Sequence, residues 1–490
     1  MMKKLLIYIP IILLLSCNDF LDREPVEQTS FEQQLSTIDG HLEALNGLYT
    51  EYEELYSGIY FVYADALGGN VKFAPNRQSE PNIDPLIDAS YRFQEIADNG
   101  TFEPFYENAY SIINAANLIL ENIAPVDADQ SLKHRIQAEA LVIRASIHFE
   151  LLRLFAQPYN FTTDASHIGI VYNQRTLKSG EDFPERLSVA ESYDRVEEDY
   201  LQALSLFENA EERTETPRSY YFNPLNTKAL LSRMYLYKED YQNCIDYADD
   251  VINEASGLTP RDQILQQWQA IEPVSEALLE FVPPFTGTDA TTTSSSVSQY
   301  FQVITNENDE VIENKRYATS NDLLSLYDSG DIRGESGLLK TYQIPTVQPD
   351  GDLSDEAYTF TRKFEANDGA IVIRLAEVYL NRAEAFAKSG DNVSAQNDLE
   401  VILNRAFDMP QQVSAENENL VDLILTERRK ELAFENHFFF DRIRNQLDII
   451  RNDGCSIANC NLSYPNTNFI QPIPEQSVII NENMEQNEGY

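Results

Sequence analysis

Apolar residues recur at helical spacing through much of the chain. Between Phe105 and Ile123 they fall at Phe105, Tyr106, Ala109, Ile112, Ile113, Ala116 and Leu120, which predicts an amphipathic helix stopped by Pro125. A second helix is predicted over Leu132 to Phe155, with Ala138, Leu141, Ala145, Phe149, Leu152 and Phe155 on one broad face and Gln157-Pro158 as its stop. Ser188 to Phe207 reads as a third, with Ser188 as cap and Glu191 as its capping-box partner. Two helical hairpins are predicted: Leu225 to Tyr237 with Tyr241 to Ile252 around Lys238-Glu239-Asp240, and Ile371 to Lys388 with Val393 to Ala406 around Ser389-Gly390-Asp391. A last long helix is expected from Leu420 to Leu447.

The two hairpins align on each other without a gap. Ser232 to Asp240 falls on Ala383 to Asp391, Cys244 on Ala395, and Val251-Ile252 on Ile402-Leu403. A small residue, an aromatic three later, a turn acid and a small residue in the second helix resemble a tetratricopeptide unit. Small residues let paired helices approach, and large ones fill the groove to the next pair. A generic helical hairpin is the competing reading. Gly58 to Phe102 and Leu258 to Phe364 lack a sustained period. They are rich in aromatics and turn residues, with Pro283-Pro284 and a Ser/Thr run from Thr291 to Ser298 in the second. Long irregular stretches in a compact protein commonly carry function, so the binding surface is placed there. The expected fold class is all-α: a tetratricopeptide-like helical repeat scaffold with a loop-rich ligand-binding face. It forms one domain over 31–490, with helical pairs at about 103–255 and 371–450 and loop-rich insertions at about 58–102 and 258–364.

The amino terminus points to export. Lys3 and Lys4 precede an apolar run from Leu5 to Leu15, too short to span a bilayer and shaped like a secretory signal. The run ends Leu14-Leu15-Ser16-Cys17, which resembles a bacterial lipoprotein box. Residues 1–16 are expected to be the signal peptide, Cys17 the lipidated residue, and 17–30 an acidic tether. Acyl chains contribute about 0.8 kcal/mol per buried methylene, so a multiply acylated cysteine anchors without a membrane helix.

Charge narrows the partners. The 490 residues include 80 acidic and 36 basic side chains, a net charge of -44. Such a surface repels a phosphate backbone, so nucleic acid is not an expected partner. Hydrophobic residues at 43% allow a large core. Of four cysteines, Cys244 falls in a helical pattern and reads as a buried apolar residue. Cys455 and Cys460 lie close together in a polar loop. A disulfide suits an exported protein, and a metal pair is the alternative, with no further Cys or His nearby in sequence.

Catalytic signatures are sparse. The five histidines, at 41, 134, 148, 167 and 437, form no metal-binding pattern, and there is no phosphate loop or nucleophile elbow. Asp350-Gly-Asp352-Leu-Ser354-Asp-Glu356 alternates oxygen ligands but lacks the turn glycine of a calcium loop. It reads as a solvated acidic loop, with structural calcium as the minority option. No cofactor is expected.

Several segments together resemble the SusD/RagB family of outer-membrane nutrient-binding lipoproteins. They are Cys17 to Asp22; Ala138 to Phe155 with Pro158-Tyr159; Arg374 to Ala385 with Gly390-Asp391; Glu427 to Glu435 with His437 to Asp441; and Pro472-Ile473-Pro474 with Asn487 to Tyr490. The resemblance implies four tetratricopeptide-like pairs, a loop-rich ligand face, and partnership with a TonB-dependent, SusC-like channel. It implies capture of oligosaccharide at the cell surface, with peptide as the alternative ligand, and no enzymatic activity. Asn436 departs from a common family Gly and Asn445 from a common Trp. A scaffold that binds only protein is a further alternative. The charged residues Arg144, Glu150, Arg153, Glu377, Arg382, Glu384, Glu427, Arg428, Glu431 and Glu435 read as ion pairs between packed helices rather than an acid–base machine.

Sugar recognition pairs aromatic faces with hydrogen-bonding side chains. In the irregular regions the candidates are Asp65, Asn70, Phe73, Arg77, Tyr91, Trp268, Tyr300 and Tyr317. Asp65 to Asn70 lies where family members often present an acidic loop. For each aromatic the competing reading is packing within its own loop; for Trp268 it is burial against a helix.

Overall fold

The computed structural model describes residues 31–75, 80–178, 180–214, 218–270, 272–281, 296–348, 350–365, 369–414 and 416–490. The expected signal peptide 1–16, the tether 17–30 with Cys17, Arg77, Pro283-Pro284 and residues 291–295 of the Ser/Thr run lie outside the described residues.

Helices dominate, and most sit where the apolar period placed them. In chain order they include α1 (Ile38–Ser57), α2 (Tyr60–Gly68), α3 (Glu103–Asn122), α4 (Gln130–Phe155), α5 (Val189–Phe207), α6 (Pro224–Tyr237), α7 (Tyr241–Glu254), α8 (Leu375–Lys388), α9 (Asn392–Ala406), α10 (Glu418–Glu431) and α11 (Phe438–Arg444). Successive helices stack: α1 on α3, α3 on α4, α4 on α5, α6 on α7, α7 on α8 and α8 on α9. The Ser188 capping box forms in full, with Ser188 Oγ accepting from Glu191 N at 3.2 Å and Glu191 Oε2 accepting from Ser188 N at 3.0 Å.

The internal repeat is visible in backbone geometry. Glu239 and Gly390 occupy the same turn position, and both take left-handed conformations, φ 60° and 87°. The next residues, Asp240 and Asp391, cap α7 and α9 with φ -85° and -87° and ψ 76° in both. Cys244 is buried and its thiol lies against the Asn381 carbonyl, where α7 crosses α8.

Three expectations need correction. Gly58 to Phe102 is not wholly irregular, because α2 is a helix with all nine residues buried. Covered on every side, it shows no polar stripe, so no amphipathic period marks it. Ile371 to Arg374 is strand, and helix begins only at Leu375. The expected helix from Leu420 to Leu447 breaks after Glu431, and Phe434 and Asn436 take positive φ, 70° and 62°. Asn tolerates that conformation better than most residues, which accounts for Asn436 where the family often has Gly. Asn436 Oδ1 also accepts from Ala64 N at 3.0 Å, tying the break to α2.

The long irregular segment carries most of the strands, in two-stranded antiparallel sheets. In chain order the strands are β1 (Val71–Phe73), β2 (Ala277–Glu280), β3 (Val303–Thr305), β4 (Val311–Asn314), β5 (Tyr317–Thr319), β6 (Leu339–Val347), β7 (Leu353–Thr361), β8 (Ile371–Arg374), β9 (Ile449–Ile450) and β10 (Asn461–Leu462). β1 pairs with β5, which joins the two insertions into one face; β2 pairs with β8, which ties that face to α8. The acidic segment from Asp350 is the turn of the β6–β7 hairpin and the start of β7, rather than a free loop. Among the described residues no group of His, Cys, Asp and Glu is arranged to hold a metal ion. Cys455 and Cys460 form a disulfide between β9 and β10.

The charged motifs form buried ion pairs. Arg144 grips Asp199 at 2.7 and 2.6 Å, Arg233 grips Glu377 at 2.6 and 2.6 Å, and Arg444 grips Glu384 at 2.6 and 2.6 Å. Each is a two-point fork that the planar guanidinium supports and lysine does not. His148 is fixed in the same layer, with Nδ1 against the Arg144 carbonyl at 2.8 Å and Nε2 accepting from Asn173 N at 3.1 Å. Burial, reinforced by Arg144, holds its pKa well below the usual histidine range, so it stays neutral.

Candidate functional site

The strand β5 organises the loop-rich face. Its first residue, Tyr317, pairs with Phe73 of β1 and is almost fully buried, at 1% exposure. Ring contacts spread from it: to Phe73 at 5.4 Å, to Tyr300 at 5.6 Å and to Phe301 at 6.1 Å. Phe73 meets Tyr91 at 5.0 Å, and Phe301 stacks on Phe364, which meets Trp268 edge-on at 5.8 Å. The five aromatic candidates therefore belong to one continuous file, linked through Phe301 and Phe364. Their rings are buried, with Tyr91, Tyr300 and Trp268 at 0%, 6% and 4% exposure, so they support the face from beneath.

Each end of the file is stitched to charge. Trp268 lies over Lys363 Nζ and the Arg374 guanidinium, at 5.0 and 5.6 Å from the ring centre. Tyr91 carries the Arg451 guanidinium on its face at 4.1 Å. Such contacts contribute about 0.5–2 kcal/mol each when desolvated.

Asp65 and Asn70 sit together behind the file, fully buried. Asp65 accepts from Asn70 Nδ2 at 2.7 Å, Phe434 N at 2.8 Å and Asn436 N at 3.0 Å. Asn70 Oδ1 accepts from Arg429 Nε at 2.8 Å. Asp65 thus satisfies the broken backbone between α10 and α11. Burial outweighs these hydrogen bonds and raises its pKa to about 6.

Above the file opens a polar cleft of about 320 Å³, lined by Asp84, Gln299, Glu313, Asn314, Lys315, Arg316 and Tyr317. Its floor is Tyr317, whose hydroxyl donates to Asp84 Oδ2 at 3.1 Å. Burial first, and Asp84 second, push that hydroxyl well above the usual tyrosine pKa, so it remains a donor. Lys315 Nζ donates to Glu313 Oε1 at 3.0 Å, and Arg316 Nη1 to Asn82 Oδ1 at 2.9 Å. Asn314 Nδ2 is held by the Pro75 carbonyl at 2.8 Å. The cleft offers amide, hydroxyl, carboxylate and cationic groups in one opening, the mixture that polyol recognition uses. Of the described sequence candidates only Tyr317 lines it. The others were missed although a signal existed: Asn314-Lys315-Arg316 is a polar, basic step between short strands in an otherwise acidic chain.

A larger cavity, about 370 Å³, lies in the helical half beside Arg135, Glu139, Arg213, Tyr221 and Leu225. Its buried charge is already matched. Glu139 accepts from Arg213 at 2.9 and 2.7 Å and from the Tyr49 hydroxyl at 2.6 Å. Those groups hold the helices together, so the loop-face cleft is the better candidate.

Known proteins agree with this architecture. Residues 352–490 match the SusD family model, and residues 19–236 match a family described as starch-binding and associating with the outer membrane. A SusD-like protein P2 of Formosa agariphila is 24% identical over 99% of both chains. Among solved structures, a SusD superfamily protein of Bacteroides vulgatus superposes with TM-score 0.76 at 24% identity, covering 93% of this chain and 99% of its own. Another, from Bacteroides thetaiotaomicron, gives 0.73 at 27% identity over 92% and 99%. A laminarin-binding SusD-like protein gives 0.70 at 20% identity over 92% and 99%. The stacked helical pairs, the two matches in order along the chain and the full-length relative agree: the chain has the SusD fold, is similar along its length to SusD-like proteins, and is matched by family models described as SusD and as starch-binding and associating with the outer membrane.

Proposed function

We propose that this protein captures oligosaccharides at the bacterial cell surface and passes them to a SusC-like, TonB-dependent channel, without cleaving them. The observation that carries the reading is the cleft over Tyr317, where side-chain amides, a held phenol and charged groups converge on a rigid aromatic foundation. A site built on rigid elements binds without ordering costs. The laminarin named for one structural neighbour makes a β-glucan fragment a sensible first probe. Cys17 supplies the lipid anchor in this proposal, with residues 17–30 as tether. No described helix is long and apolar enough to cross a membrane. Arg77, which lies outside the described residues, is proposed to contact the ligand. The buried candidates Asp65, Asn70, Phe73, Tyr91, Trp268 and Tyr300 are proposed to act on ligand through the shape they give the face.

Calorimetric titration of the mature chain with a panel of oligosaccharides and of peptides checks the ligand class. Saturable binding of at least one glycan is expected, with no shortening of the glycan on prolonged incubation. Binding confined to peptides would replace the glycan reading with a peptide-uptake one, and binding of neither would leave a protein-only scaffold.

A further inference from the structure

We propose that Arg316 makes the loop-face cleft selective for glycans that carry an anionic group, either a uronate carboxylate or a sulfate ester. This rests on the glycan-binding reading and names the substrate class of the same site.

With 80 acidic side chains against 36 basic ones, carboxylates are abundant partners for every cation. Several buried arginines hold carboxylates: Arg374 contacts three glutamates, and Arg233 and Arg444 each hold a glutamate in a two-point fork. Others, such as Arg186 and Arg451, are satisfied instead by three backbone carbonyls each. Arg316 is different. Its side chain makes one hydrogen bond, from Nη1 to the neutral Asn82 amide oxygen, and among the described residues it has no carboxylate partner. Among the described residues neither Nε nor Nη2 has an acceptor.

The neighbouring charges do not fill that role. Glu313 is engaged by Lys315. Asp84 has both oxygens occupied, Oδ2 by the Tyr317 hydroxyl and Oδ1 by Leu86 N at 3.1 Å. Among the described lining residues two acids and two bases balance, on a protein of net charge -44. Remote acids are screened beyond about 8 Å at physiological ionic strength, so the local group decides which ligand is taken.

Arg316 is also held at its root. Its carbonyl accepts from Ala74 N at 2.8 Å, which extends the β1–β5 pairing. A guanidinium with a fixed backbone and an open fork is pre-organised for a planar carboxylate, which takes two parallel N–H donors. A sulfate ester presents the same paired oxygens in tetrahedral form. Gln299 and Asn314 line the same cleft.

Titration of the mature chain with length-matched neutral, uronate-containing and sulfated oligosaccharides tests this, with Arg316→Gln and Arg316→Lys alongside. At least one anionic class should bind about tenfold or more tightly than the neutral one. Arg316→Gln should bring the anionic-to-neutral ratio near one, and Arg316→Lys should retain part of it, since the charge remains and the fork is lost. The preference in the unaltered protein should weaken as salt rises. Whether uronate or sulfate is preferred identifies the source of the anion. Equal or tighter binding of neutral glycans, with a ratio unchanged in Arg316→Gln, would overturn the inference while leaving glycan binding intact. Binding of peptides alone would instead remove the reading on which it rests.

Discussion

Replacing Arg374 with alanine is expected to cost about 3–5 kcal/mol of folding stability, the range for removing one partner from a buried ion pair. Arg374 is 1% exposed. Its donors reach Glu276 at 2.6 Å, Glu431 at 2.8 Å, Glu435 at 2.7 and 2.9 Å, and the Glu431 carbonyl at 2.8 Å. Removal leaves acids from β2's approach and from α10 in low dielectric with too few cations. Arg405, Lys363 and Arg333 still touch these glutamates, but each has its own share to neutralise. The residue closes β8 and opens α8, so its loss separates the loop face from the helical stack. Arg374→Lys should cost less, because the charge stays while the bidentate geometry goes. Urea unfolding followed by the fluorescence of Trp268, the chain's single tryptophan, reads the effect directly, since that ring covers the network. A loss under about 1 kcal/mol would show that the hub does not bear on stability as its geometry implies.

Asp65→Ala is expected to be nearly as damaging, at about 3–4 kcal/mol. The backbone N–H groups of Phe434 and Asn436 lose their acceptor inside the core, at about 1–3 kcal/mol each. Asp65→Asn keeps an acceptor oxygen and should cost less. The two proteins should also differ in pH dependence. Burial raises the folded-state pKa of Asp65 to about 6, above its value of 3.8 in a model peptide. The folded state therefore binds a proton more readily than the unfolded one between those values. This group's contribution is fully present below the lower pKa and is lost as pH rises through the upper one. The advantage of the native protein over Asp65→Asn should accordingly shrink by about 1 kcal/mol from pH 5 to pH 7.5. An advantage that grows over that interval would mean that the hydrogen bonds, not burial, control the carboxylate.

Much of the scaffold is legible in the chain because amphipathic helices write their burial as a period. The helices from Glu103 to Glu254 and the hairpin ending at Ala406 follow the apolar spacing closely. Ser188 and the two turn aspartates carried their caps openly, because capping is local chemistry. What escaped depended on distant partners. Helix α2 is buried all round, and Asp65 looks like a loop acid until Phe434 and Asn436 are brought against it from the far end of the chain. The break between α10 and α11 has the same origin.

The ligand face was harder for a related reason. Aromatic residues such as Tyr91 and Trp268 suit sugar stacking and interior packing equally, and sequence does not say which side of a ring faces water. In the folded protein both are interior, and Arg451 and Lys363 occupy their surroundings. The polar cleft residues come from three separated segments, around Asp84, Gln299 and Asn314, joined only when β1 pairs with β5. Among the described lining residues only Tyr317 was marked in advance, because it belongs to both the file and the cleft.

The central claim is that glycan binds over Tyr317 on the loop face. Hydrogen–deuterium exchange of the mature chain, with and without a saturating bound oligosaccharide, locates the site. Slowed exchange is expected in 299–302 and 311–319, with the segment around Asp84 following, and little change in α6 and α7. Protection concentrated instead at 207–225, beside the cavity of the helical half, would contradict the account.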